Sequence, residues 1–396
     1  LDIFICDRLG ERTYENYSVD GGDRVPLRRS GQIEYLPIKD LWDSERLVVK
    51  EKGIETQTAD FETLCYQGGK ALWMPVQFVL RHQAPTTLRK IVCNPGNYSV
   101  SVTDAHSVLI MTADGIKDKL GSAVVPGDWM LTPKVIDSTA REPEIDLLNY
   151  IGKEFMEKRE MVGKPLRWDG QYIESRKDQS LPRKVALSES FGELIGIAVA
   201  EASGTTTLSF AVGGDKALAE RVCTLLREVF GLKANNLGYS SAESMKRYIA
   251  KAALRNKGSY ACHNPQEAYR PNAGGRLLAH IFGNMIGRGA ENKHVPDFMF
   301  TAPRAVQLSF FRGLICGDGS LRVRRGGKQT EVHVTTVSDR LAHELIFLAR
   351  QLGIMASMLN HGAGGYSRGV HHRPSYRVSF GSRKAVSLVF GNRWGD

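Results

Sequence analysis

No stretch of this sequence is apolar for long enough to span a bilayer, which argues against a helical membrane protein. Cysteine is scarce: six in 396 residues, no two of them spaced as C-x-x-C. That excludes the common zinc-ribbon and thioredoxin-like patterns and predicts a reduced, intracellular (cytoplasmic) setting. The opening LDIFICDRLGER has no basic stretch ahead of an apolar core, so no secretory leader is read there. Acidic residues are outnumbered 43 to 53 by basic ones, leaving a formal net charge of +10. Such an excess favours a polyanionic partner without naming one. What is present, 42% hydrophobic and 24% charged residues, is the composition of a folded globular chain. A chain of 396 residues exceeds one ordinary core, so two or more domains are expected.

Two stretches share one design. FFRGLICGDGS, at 310–320, is an apolar helix end closed by Gly-Asp-Gly. ELIGIAVAEAS, at 193–203, aligns with it so that Gly196 falls on Gly313 and Glu201 on Asp318. A carboxylate at a helix C-terminus opposes the macrodipole. Two such acids brought together repel unless a cation lies between them. The pair therefore predicts a metal site assembled from two helix tips, with Glu201 and Asp318 as ligands.

The surroundings repeat as well. Ser190-x-x-Glu193 reads as a capping box before the first apolar run, and Pro303 stands early in the second. After each acid the pattern turns to strands, TTTLSFAV in one copy and SLRVRR, Gly326-Gly327 and KQTEVHVTTV in the other. Each copy then opens an amphipathic helix on an Asp, at Asp215 and at Asp339. Helix, hairpin and helix thus occur twice in order, which is stronger evidence than either motif alone.

These motifs resemble the paired LAGLIDADG motifs of homing endonucleases. The resemblance implies an α+β domain of two pseudo-symmetric, αββαββα-like halves that cuts both strands of double-stranded DNA. It implies Mg²⁺ as cofactor, with Mn²⁺ as the alternative. Small residues at Gly196 and Gly313 would let the helices approach closely. Alternation places Arg322 and Arg324 on one face of a strand, Glu331, His333 and Thr335 on one face of the next, and Arg377 with Ser379 on another. Arg322, Arg324, His333, Thr335 and Arg377 are the expected DNA contacts. The segment GAENKHVPDFMFTAP, at 289–303, resembles the block before the second motif in intein endonucleases, and its K-x-[IV]-P pattern makes Lys293 a catalytic candidate. Lys384 is the candidate for its counterpart.

The first half reads as an all-β pattern of short strands, at 24–29, 32–38, 55–59, 71–81, 88–93, 98–102 and 107–112, with turn residues between most of them. Three ordered segments resemble the Hint splicing domain of inteins, especially those of family B DNA polymerases: SVDGGDRV with GQIEYLPIKDLW, WMPV with VLRH, and VSVTDAHSVLI. The resemblance makes Ser18 the nucleophile that attacks the Tyr17 carbonyl, His106 the acid on the leaving nitrogen and Thr103 a hydroxyl holding the same peptide.

The expected organisation is multidomain: a host (extein) remnant at 1–17, the N-terminal part of a Hint domain at 18–136, a solvated linker or accessory DNA-contact region at 137–187, and the endonuclease at 188–396. The expected partners are a DNA target site and host flanks, possibly of a DNA polymerase, for a monomer without membrane contact. A complete intein ends in His-Asn before Ser, Thr or Cys. This sequence ends GNRWGD and its His263-Asn264 precedes Pro265, so splicing is expected only from a longer chain. Two alternatives stay open: a DNA-binding protein that has lost cutting, and a freestanding endonuclease with no chemistry at Ser18.

Overall fold

Short apolar stretches punctuated by Gly, Ser and Asp turns build the first part of the chain from β-strands. The computed structural model describes residues 2–4, 19–51, 53–83, 87–94, 98–133, 136, 143–176, 179–232, 237–247, 266–273, 275–324, 329–362, 365–367, 370–381 and 387. Its contacts divide the chain into two units, Leu1–Thr139 with Phe347–Met358, and Ala140–Ile346 with Leu359–Asp396.

In the first unit Arg24–Arg29 and Gln32–Pro37 form a hairpin. Its two turn residues, Ser30 and Gly31, have φ of 49° and 85°, as a two-residue hairpin turn requires. These strands join Glu62–Gln67 and Lys70–Pro75 in one four-stranded sheet. A second four-stranded sheet runs Asp2–Phe4, Phe78–Arg81, Ile54–Thr58, Val49–Glu51. Leu27, Ile38, Leu41, Phe61, Val76 and Val79 pack as one buried cluster. Each side chain of this size contributes roughly 1.5–3 kcal/mol on burial.

Two expectations are corrected here. The strand expected over 71–81 is two strands in different sheets. Pro75, which has no amide proton, ends the first; Val76 then donates to the Phe61 carbonyl, and Ala59 to that of Gln77. The strand expected over 32–38 stops at Pro37, and a 3-10 turn, Ile38–Leu41, carries Ile38 and Leu41 into the core. Asp2–Phe4, within the expected host remnant, pairs antiparallel with Phe78, Val79 and Leu80.

In the second unit the stretch expected as a solvated connector is folded. A strand, Glu144–Asp146, and a 3-10 turn, Leu147–Tyr150, precede the helix Lys153–Met161. Arg167–Trp168, Tyr172–Arg176 and Gln179–Pro182 then form an antiparallel sheet. Ile173 and Leu181 face each other in register and are buried. Two apolar residues in a polar text are too few to read as an alternation, yet enough to anchor a small sheet.

The repeated order is present. The helix Glu189–Glu201 is followed by Ala202–Ser203, Leu208–Phe210 and the helix Lys216–Phe230. The helix Arg304–Asp318 is followed by Gly319–Arg324, Gln329–Thr336 and the helix Asp339–Gln351. Strands in the first copy are shorter than TTTLSFAV implies. The capping box is also corrected: Ser188, not Ser190, caps the first helix, accepting from the Phe191 amide at 3.2 Å. Ser190 donates to Glu228, and Glu193 makes a two-point ion pair with Arg221.

The two motif helices, Glu189–Glu201 and Arg304–Asp318, pack backbone to backbone. A Cβ on Gly196 would fall on the Phe310 carbonyl oxygen and 2.7 Å from the Leu314 nitrogen. A Cβ on Gly313 would fall on the Glu193 carbonyl oxygen and 2.9 Å from the Ile197 nitrogen. The contacts are reciprocal under the sequence alignment of the motifs. Gly192 and Gly317, not singled out in the sequence, extend the contact: added Cβ atoms would lie 2.5 Å from the Val306 carbonyl oxygen and from the Ala200 Cβ. Relief of a clash with backbone atoms requires the helices to separate. Gly196→Ala is therefore expected to cost about 3 kcal/mol in urea unfolding of the second unit. Gly170→Ala, with nothing within 4 Å of the added methyl, should stay within about 0.5 kcal/mol. Equal, small effects of both would refute the close-contact account.

Candidate active sites

Both motif helices stop at their acid. Ala202 and Gly319, the residues that follow, are extended, so Glu201 and Asp318 end their helices. Because the glycines draw the helices together, both carboxylates belong to one cleft of about 530 Å³, lined also by Ser203, Arg288, Lys293 and Thr335. Glu201 is half-buried, and its pKa is pushed up to about 7, first by desolvation and then by the charge of Asp318. Asp318 keeps solvent-exposed surface within the cleft, and its pKa is also raised by partial desolvation, against the opposing charge of Lys293.

Lys293 meets these acids from a separate segment. It is buried, and its ammonium donates to the carbonyls of Ala198 at 3.0 Å and Ala202 at 2.9 Å, at the C-terminal end of the first motif helix. Positive charge is favoured at that end. Burial pulls the Lys293 pKa down to about 8, against the pull of Asp318 and Glu201. Sequence reasoning found Glu201, Asp318 and Lys293, and the structure brings all three together.

Two converging carboxylates with raised pKa values fit a hard divalent cation. No group of three or more His, Cys, Asp or Glu forms a metal cluster among the described residues. Mg²⁺ suits a site of this kind, because it keeps waters and takes one or two carboxylates together with phosphate oxygens.

Strand register tests the predicted polar face. Ser320 stands opposite His333, Arg322 opposite Glu331 and Arg324 opposite Gln329. His333 stands opposite Ser379, and Thr335 opposite Arg377. These positions share one face, while Val332, Val334, Val378 and Phe380 of the other face are buried. Thr335 is exposed and His333 half-buried. The Arg377 Nε is buried with no hydrogen-bond partner among the described residues. Lys384 lies outside the described residues.

Ser18 and Tyr17 also lie outside them. Val19 does not: it bridges Val102, and the Asp20 amide donates to the Ser101 carbonyl at 2.8 Å. The chain that leaves Ser18 thus runs beside the strand that leads into Thr103. Thr103 is buried and His106 half-buried, and the His106 amide closes their turn on the Thr103 carbonyl at 3.1 Å. Two residues that the sequence did not mark support this turn. Asp23 accepts from the Ser101 amide at 2.6 Å. The Gly121 amide donates to the His106 carbonyl at 2.7 Å, and a Cβ there would come within 2.9 Å of the Thr103 oxygen.

Residues 294–392 match the family model of the homing endonucleases. That match and the curated relatives support the reading of an intein that carries a homing endonuclease. Among curated relatives, an uncharacterized protein of Methanocaldococcus jannaschii is 27% identical over 65% of this chain and 32% of its own length. A DNA polymerase of Thermococcus sp. strain GE8 is 23% identical over 97% of this chain and 20% of its own length. The chain therefore spans between a fifth and a third of these relatives. The crystal structure of the transcription factor IIB Mvu mini-intein is 25% identical, covering 30% of this chain and 69% of its own, with a TM-score of 0.28.

The acid pair generates a pH-dependent prediction. The folded-state pKa of Glu201, about 7, lies above its ordinary value of 4.5, so its protonated form stabilises the metal-free fold. That contribution is present below about 4.5 and is lost as pH rises through about 7. A divalent cation held by the deprotonated pair would displace this proton. Ca²⁺ affinity measured by calorimetry should tighten by up to about tenfold per pH unit between pH 5.5 and about 7, then level off. A pH-independent affinity across that range would show that Glu201 does not hold the proton.

Proposed function

We propose that this chain is an intein: a site-specific, metal-dependent DNA endonuclease joined to a self-splicing β-domain. The observation that carries the nuclease reading is the convergence of Glu201, Asp318 and Lys293 on one cleft at two glycine-packed helix ends.

Duplex DNA lies along the polar sheet face, where Arg377 stands opposite Thr335. Arg322, Arg324, His333 and Thr335 occupy register positions on the same face, suited to phosphate and base-edge contacts. Glu201 and Asp318 would hold a divalent cation, Mg²⁺ or Mn²⁺, which when bound would supply positive charge against the phosphate and a more acidic water. Lys293 adds a fixed positive charge near the phosphate that is attacked. Two carboxylates at one interface suit two strand cuts close together.

In the β-domain the Ser18 hydroxyl attacks the Tyr17 carbonyl. The C–O bond forms, the C–N bond breaks, and the proton lost by the hydroxyl is balanced by protonation of the Ser18 nitrogen from His106. Thr103 steadies the peptide. The pairing of Val19 with Val102 supports this reading, because it brings the departing chain to the Thr103–His106 turn. The partners proposed are double-stranded DNA and a host protein, of which the polymerase relatives offer one kind.

Two experiments test these readings. A plasmid library bearing randomised inserts, incubated with Mg²⁺ and the intein, should yield a linearised subset. Glu201→Gln and Asp318→Asn should each lower that cleavage at least about hundredfold while retaining DNA binding; cleavage at the unchanged rate would exclude the pair. Hydroxylamine should release residues 1–17 from the wild-type chain and not from Ser18→Ala, as read by intact mass. Equal release from both would remove Ser18 from the chemistry.

A further inference from the structure

Among the described residues outside the site just described, Glu344 is the most deeply buried carboxylate, with a side chain 0% exposed. One of its oxygens accepts the Val295 amide at 2.7 Å, and the other accepts the Arg340 Nε at 2.6 Å. Where only packing is at stake, an apolar side chain fills such a space without the desolvation cost of a charge. The amide that Glu344 holds lies two residues past Lys293. Ser338, also fully buried, donates its hydroxyl to the carbonyl of Lys293 itself at 2.6 Å and accepts the Leu341 amide at 3.1 Å. Ser338 and Glu344 therefore grip consecutive stretches of the Lys293 backbone from the start of a single helix, Asp339–Gln351. The far end of Lys293 is fixed by the Ala198 and Ala202 carbonyls.

A lysine head sits at the end of four rotatable bonds, so its place depends on where its backbone is anchored. Misplacement by about 1 Å costs about a hundredfold in rate. We propose that Glu344 and Ser338 are positioning residues that hold Lys293 against the Glu201–Asp318 pair. The proposal rests on the nuclease reading only for the purpose the clamp serves, not for the clamp itself.

Two measurements on the full chain test it. The first is ¹H–¹⁵N NMR of the Lys293 ammonium at pH 6, assigned with Lys293→Arg. Two carbonyl acceptors should keep its protons in slow exchange with water. Glu344→Ala and Ser338→Ala should each speed that exchange at least about tenfold. Glu344→Gln, whose amide oxygen still accepts from Val295, should stay within about twofold of the wild type. The second is linearisation of plasmids recovered from the randomised library. Glu344→Ala and Ser338→Ala should lower kcat roughly tenfold to hundredfold with DNA affinity unchanged, and Glu344→Gln should recover most of it. Slow ammonium exchange and full kcat in both alanine variants would overturn the proposal, even with a lowered Tm. If Glu344→Ala does not fold, Ser338→Ala, which removes only a hydroxyl, decides the matter. A wild-type chain that cuts no plasmid would sink the nuclease reading, and the ammonium exchange would still decide the clamp.

Discussion

The second unit depends on one steric constraint, the backbone-to-backbone contact of the two motif helices. Gly196 and Gly313 are reciprocal: each leaves room for a carbonyl oxygen and an amide nitrogen of the opposite helix. No side chain larger than hydrogen permits that approach. The consequence is chemical, because each helix ends at an acid. Close packing of the helices carries the two acids into one cleft, where neither is at ease with its charge.

The electrostatics of that cleft follow from the packing. Partial burial and mutual repulsion raise the pKa of Glu201 to about 7. The C-terminal carbonyls of the first motif helix add further negative potential and are answered by the Lys293 ammonium. Lys293 has its own cost, seen in a pKa drawn down to about 8. Desolvation thus raises the pKa of both carboxylates and lowers that of the ammonium, so each group of the cleft is held against its own charge. Its supports lie on different elements, since the Lys293 backbone is gripped from Ser338 and Glu344 while its side chain reaches the other motif helix.

In the first unit the organising contact is a single bridge. Val19 meets Val102, and the turn from Thr103 to His106 is held by Asp23 through Ser101 and by the Gly121 amide. None of this is local in sequence. The strands themselves are, and several were legible to the residue: Arg24–Arg29, Tyr98–Val102 and Ser107–Thr112 coincide with their apolar runs. Pro75 split a run that reads as continuous, and Ile173 with Leu181 built a sheet in a stretch that reads as solvated.

The sequence by itself determined the short-strand character of the first half, the repeated order of helix, strands and helix in the second, and the matching places of Glu201 and Asp318 at the ends of two like helices. These depend on periodicity and on residue types, which are written locally. Tertiary structure alone decided which Ser caps the first motif helix, because Ser188 and Ser190 stand two residues apart in similar company and only the geometry of the Phe191 amide selects between them. It alone decided that Gly192 and Gly317 join the helix contact and that Gly121 sits against the Thr103 carbonyl. It alone revealed Glu344. A glutamate on an amphipathic helix reads as a solvated charge, and only the chain that crosses over it, with the Val295 amide pointing down, makes it a buried acceptor.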